Sequence, residues 1–152
     1  MLEEQFRKEI LLELENLDQL CKEVHKVLEQ SRTSAPDNIL KAALGTYLAQ
    51  FYNGVENILK RIAKGKSVNP QKSEQWHREL FLMFCANGHN ELPVLFEGTL
   101  VSDMTAFRKF RHVVFHGYSF TLDWEIIAAG AARIDTIYNN FKRALQKSGL
   151  IS

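Results

Sequence analysis

The sequence is poor in proline and cysteine and has no long apolar run, and each shortage excludes a class of protein. There are three prolines, Pro36, Pro70 and Pro93, so the chain between them is free to run as long helices. There are two cysteines, Cys21 and Cys85. They form no CxxC or other metal spacing, which excludes a disulfide scaffold or a zinc ribbon. Each lies among apolar residues in a helical pattern, so both are expected to be reduced and buried. No stretch approaches the ~18 continuous apolar residues that span a bilayer. The first ten residues, MLEEQFRKEI, are charged and lack an apolar signal-peptide core, so a cytoplasmic chain is expected. Repeats, low-complexity tracts and alternating strand patterns are also missing.

A 45% hydrophobic fraction over 152 residues is ample for a core, and residues 1–152 are expected to form a single helical domain. The net charge is +1, but residues 1–30 carry eight acids and four bases. An acidic start and a basic remainder leave one surface suited to an anion.

Apolar residues recur at helical spacing almost everywhere. Leu2, Phe6, Ile10, Leu14, Leu17, Leu20, Cys21, Val24 and Leu28 mark a first helix ending before Ser31. Asp37 is positioned to cap a second, which carries Leu40, Leu44, Leu48, Phe51, Val55, Ile58 and Ile62 and stops at Gly65. A third is expected from about Ser73, with Glu74 in its first turn, to Asn87-Gly88. Residues 89–98 are open between a loop and a broken helix because of Pro93. A fourth is expected from Ser102, as N-cap, to His116, and a fifth from Asp123 to Lys147. The fold class is therefore all-α, an antiparallel bundle of about five helices.

The segment 107–120, FRKFRHVVFHGYSF, departs from what packing alone requires. No acid lies between Asp103 and Asp123, while Arg108, Lys109 and Arg111 crowd its centre. His112 and His116 are four apart. Phe107, Phe110, Phe115, Tyr118, Phe120 and Trp124, six of the sixteen aromatics, fall in or just after it.

These residue types suit metal-independent cleavage of RNA. Such cleavage needs a base for the 2′-hydroxyl proton, an acid for the leaving 5′-oxygen and a cation for the charge that develops on the phosphoryl oxygens. Histidine suits either proton role near neutral pH. Arginine suits the third, because its planar fork holds two oxygens. On an ideal helix Arg111 and His116 are about 140° apart. Either the helix ends at His116, with Gly117 letting the imidazole turn, or a two-fold dimer brings two copies of the pair into one cleft; both together are expected. Arg108, Lys109 and His112 are the further candidates for contact with RNA phosphates.

Arg111-x4-His116-x-Tyr118 resembles the Rx4HxY motif of the HEPN superfamily in its HepT-like toxin branch, and FRKFRHVVFHGY is similar to that branch's wording around it. The residue after the Arg is usually Asn or another polar residue there; here it is His112. FYNGVENILKRIA, residues 51–63, resembles the branch's second helix, with Glu56. The resemblance implies a HEPN-like helical fold and a homodimeric ribonuclease toxin, with Arg111 and His116 as the catalytic pair. It also implies a small nucleotidyltransferase (MNT-type) antitoxin that adenylylates Tyr118. AMP groups beside Arg111 would occupy the place of the substrate phosphate. The RNA to be cut, transfer or messenger, is not implied.

Other readings stand beside these. His112 and His116 have the spacing of a zinc pair, but Cys21, Cys85, Glu97 and Asp103 offer no motif spacing for a third ligand, so no metal and no cofactor is expected. Arg108 and Lys109 fit a solvated helix face, and Tyr118 a core aromatic. His25 and His77 fit surface or satisfied structural positions. A second basic run, Lys60, Arg61, Lys64, Lys66 and Lys72, reads as a solvated helix end or as an extension of an RNA path. The alternatives to the ribonuclease are a non-catalytic HEPN module that binds nucleotide or RNA through Arg111, and a bundle that acts only through its partner.

Overall fold

The computed structural model describes residues 2–70 and 73–152, with Leu2 described by its backbone only. The expectations for the side chain of Leu2 and for Lys72 therefore lie outside the described residues. Six α-helices follow one another: α1 Leu2–Thr33, α2 Asn38–Gly65, α3 Trp76–Met83, α4 Thr99–His116, α5 Trp124–Ala132 and α6 Ile134–Lys147. A short 3-10 turn, Ser119–Thr121, lies between α4 and α5. The described residues hold no strand, only an isolated bridge between Cys85 and Phe96. None of their helices is long and apolar enough to cross a membrane.

α2 is the central element, with α1 along one side and α4 along the other. Its sequence explains this, because apolar residues occupy more than one face, and half of its residues, from Leu40 to Ala63, are buried. α1 runs antiparallel to α2: Arg61 of α2 pairs with Glu9 and Glu13 of α1 at 2.8 and 3.5 Å, and Gly54 faces Leu17. Part of the acidic excess of α1 thus meets part of the basic run of α2. α6 closes the core behind α4. Phe51 lies 5.0 Å from Phe107 and 6.2 Å from Tyr138 between ring centroids, and the Tyr138 hydroxyl donates to the Leu14 carbonyl at 2.8 Å. Burial, together with the nearby Asp18 carboxyl, pushes the Tyr138 phenol well above its usual range.

Several helix ends differ from the expectation. α1 continues past Ser31 to Thr33, because Ser31 and Thr33 donate their hydroxyls to carbonyls three residues back, at 2.6 and 3.1 Å, inside the helix. Asp37 does cap α2, accepting from Leu40 N at 2.9 Å. α3 is shorter than expected at both ends. Ser73 accepts from Gln75 N at 3.2 Å and so forms a turn before the helix, which leaves Glu74 outside the first turn. At the other end Asn87 takes φ 62°, with Gly88 after it.

The segment 89–98 is a loop. It is anchored by Leu95 and Phe96, whose N–H groups donate to the Phe84 carbonyl at 2.9 and 3.2 Å. α4 begins at Thr99 and not at Ser102. Gly98, with φ 59°, starts it, while the Ser102 hydroxyl donates to the Thr99 carbonyl at 2.9 Å within the first turn.

The expected fifth helix is two. It breaks at Arg133, whose guanidinium makes two hydrogen bonds to the buried Asp103 carboxylate of α4. Among the described residues there are therefore six helices where about five were expected. Cys21 is buried, but Cys85 is only half-buried.

Candidate active site

Two turns of α2 and the last two turns of α4 face each other across the bundle. Asn53 and Glu56 are three residues apart on α2, so they share a face. Arg111 comes to them from α4. Its Nε donates to Asn53 Oδ1 at 2.6 Å and lies 3.6 Å from Glu56 Oε1. Glu56 is 2% exposed, one of two buried charged residues among those described. A carboxylate that far from water needs cationic or N–H partners, and Arg111 is one. The guanidinium also lies over the Phe115 ring, 4.8 Å from its centroid. Only the Nε edge is held: among the described residues neither terminal amino group of Arg111 has a hydrogen-bond partner.

His77 of α3 supplies the second partner of Glu56, with Nδ1 2.6 Å from Oε2. It is the satisfied structural histidine that its sequence context suggests, and His25, bonded to Asp135 at 2.8 Å, is another. The Tyr52 hydroxyl, one turn before Glu56, is buried without a partner among the described residues. Burial raises its phenol, and the Glu56 charge raises it further.

The remaining candidates spread outward. His112 and His116 are exposed and adjacent, ring centroids 4.5 Å apart. α4 ends at His116, and Gly117 leaves in extended backbone, its N–H donating to Val113 O at 2.8 Å. His116 thus stays on the face that helical geometry gives it, turned away from Arg111. Tyr118 is 71% exposed and stacks on Phe120 at 5.4 Å and 17°. It is therefore no core aromatic. The turn that carries it is braced by Thr121, whose hydroxyl donates to Tyr118 O at 2.6 Å. It is pinned by Leu122, which fills the space a side chain at Gly45 would need.

Arg108 points to α3, 5.5 Å over Phe81, while Lys109 is exposed. Arg111, with Asn53 and Glu56, and the pair His112–His116 are thus two separate groups on one helix end. Among the described residues no group of three or more His, Cys, Asp or Glu side chains is arranged to hold a metal ion.

Asn53 had no place among the residues expected at the site. Its signal was an Asn, a poor helix former, within the apolar stripe of a long helix. The expected apolar excess around Phe107, Phe110 and Phe115 is only partly seen. Phe107 is 1% exposed, and Phe110 is half-buried, close enough to Gly130 that a Cβ there would meet its ring. Phe115 stays 57% exposed.

A model of the family described as HepT-like protein matches residues 43–149. The match runs from within α2 to beyond the end of α6 and includes Asn53, Glu56, Arg111, His116 and Tyr118. No curated protein and no solved structure matches the chain.

Proposed function

The chain belongs to the HepT-like family, and from that membership we propose that it is a metal-independent ribonuclease, the toxin of a pair whose antitoxin is a nucleotidyltransferase. The observation that carries the reading is the way Arg111 is held. Its Nε donates to Asn53 and lies beside Glu56, while among the described residues its two terminal amino groups are left without a hydrogen-bond partner. That is the edge which can take two phosphate oxygens at once. A fixed guanidinium meets charge that develops in the transition state without reorganising.

In the proposed reaction the 2′-hydroxyl oxygen attacks the phosphorus and the bond to the 5′-oxygen breaks. A base takes the hydroxyl proton and an acid gives one to the leaving oxygen, leaving a 2′,3′-cyclic phosphate and a 5′-hydroxyl. His116 takes one proton role. The other falls to His112 beside it or to the second copy of the motif in a homodimer, which also bridges the angle between Arg111 and His116. Lys109 and Arg108 extend the basic surface for flanking phosphates. Tyr118, exposed beside this surface, is the proposed acceptor of AMP from the antitoxin. RNA, transfer RNA among the candidates, is the substrate, and the cytoplasm the proposed location.

Incubating total cellular RNA with the purified protein in EDTA tests the reading. The wild type is expected to cut, and His116→Ala to be slower by at least about 100-fold. Equal cleavage by both proteins, or none by either, would overturn it.

A further inference from the structure

His77 lies outside the motif, on a helix that carries none of the residues proposed for the chemistry, yet its contacts lead to them. Glu56 divides its two oxygens between two partners: Oε2 is 2.6 Å from His77 Nδ1, and Oε1 is 3.6 Å from Arg111 Nε. A carboxylate only accepts, so Nδ1 carries the proton and donates. The Arg111 contact is too long to count as a hydrogen bond, whereas the His77 contact is a short one. It is therefore His77 that fixes the plane of the Glu56 carboxylate.

Without that bond the carboxylate would be free to rotate and take the guanidinium with both oxygens, the preferred Arg–carboxylate geometry. That would use an amino group that the phosphate needs. We infer that His77 is a positioning residue: it holds Glu56 so that Asn53 and Glu56 grip Arg111 by its Nε edge alone. The inference rests on Arg111 being the phosphate-binding residue.

The position of α3 fits this role. The Trp76 ring lies against the His77 ring, tilted by 32° with centroids 3.6 Å apart, and Lys60 of α2 lies 4.6 Å over the Trp76 ring. On the next turn Leu80 and Phe81 are buried, and Arg108 of α4 lies over Phe81. The short helix is thus fastened to α2 and α4, the two helices whose side chains it aligns. His77 itself remains 25% exposed.

Two variants separate positioning from bulk. His77→Leu fills the space but cannot donate; His77→Asn keeps an N–H donor. Steady-state cleavage is expected to show kcat lowered about 100-fold in His77→Leu, with KM changed less than about threefold because the charge Arg111 meets develops late. His77→Asn is expected to recover most of the loss. In a Glu56→Gln background His77→Leu should add nothing, because it acts through Glu56.

A readout independent of cleavage is the Arg111 Nε–H resonance, identified by its loss in Arg111→Lys. It should shift or broaden in His77→Leu and return in His77→Asn. An unchanged resonance in His77→Leu, or a full further loss of kcat in the Glu56→Gln background, overturns the inference. Should the wild type cut no RNA, the proposed function fails and the resonance alone decides this inference. Should His77→Leu fail to fold, His77→Ala replaces it as the variant without a donor.

Discussion

At the scale of single residues, Arg111 is held by a bond that lysine cannot copy. An ammonium is one point of charge, so it can face Asn53 and Glu56 or a phosphate, but not both along separate edges. Arg111→Lys is expected to keep the fold, since the residue lies on an incompletely buried helix end, and to lose about 100- to 1000-fold in kcat. Circular dichroism and cleavage rates check the two halves, and a lysine variant within tenfold of wild type would remove Arg111 from the chemistry.

Tyr118 carries the second prediction. Its 71% exposure makes the hydroxyl reachable by another enzyme. With the nucleotidyltransferase partner and ATP-Mg²⁺, intact mass should rise by one or more AMP units, and Tyr118→Phe should abolish the gain; a gain that persists would place the modification elsewhere. Arg111, His116 and Tyr118 stood out in the sequence because bases, histidines and aromatics crowd an acid-free stretch. Asn53 and His77 did not stand out. Their meaning comes from residues 58 and 21 positions away, and nothing local encodes such a pairing.

At the scale of elements, helix ends were readable where the cap is a neighbouring side chain. Asp37 caps α2, and Asp123 accepts from Glu125 N at 3.0 Å at the start of α5. Ends set by distant residues were not readable. The break between α5 and α6 coincides with Arg133, whose partner Asp103 lies thirty positions earlier and is 7% exposed. Removing the guanidinium leaves a buried carboxylate short of partners. Because Arg133 is itself 54% exposed, the cost of Arg133→Ala is set at about 1–3 kcal/mol, below that of a fully buried pair. Thermal melts would show it, and an unchanged midpoint would mean the pair is not what joins α4 to the break. The α1–α2 contact predicts a second effect. A Cβ on Gly54 would sit 2.5 Å from Leu17 Cδ2, so Gly54→Ala should destabilise by about 1–3 kcal/mol through overpacking, despite alanine's better helix propensity.

At the scale of the whole molecule, the helical class followed from periodicity, whereas the central place of α2, half of whose residues are buried, emerges only from the packed structure. How many chains make the working unit is a matter of surface. Phe115, Tyr118 and Phe120 are 56–71% exposed and lie at the end of α4 and in the turn after it. A patch of that kind beside the motif is the proposed meeting face of two copies. Light scattering at micromolar concentration is expected to give twice the 17.5 kDa of the chain, and Phe120→Glu to shift it toward one. A monomeric wild type would leave His112 as the sole second proton carrier.

Between Phe107 and Leu122 no residue is buried, although the proposed chemistry lies almost wholly there. α4 is clamped in the core by Leu100, Met104 and Phe107, and the stretch beyond is held more lightly, by Phe110 and Val114 against the core and by Arg111 against Asn53 and Glu56. Stability and the proposed activity are therefore drawn largely from different parts of one helix. Changes at the exposed positions of this stretch, His112, Phe115, His116 and Tyr118 among them, risk folding little, so the proposed recognition of RNA and of an antitoxin can change without rebuilding the bundle. Copies inactivated at those positions would also persist as folded proteins, able to enter the proposed dimer and to occupy the proposed antitoxin.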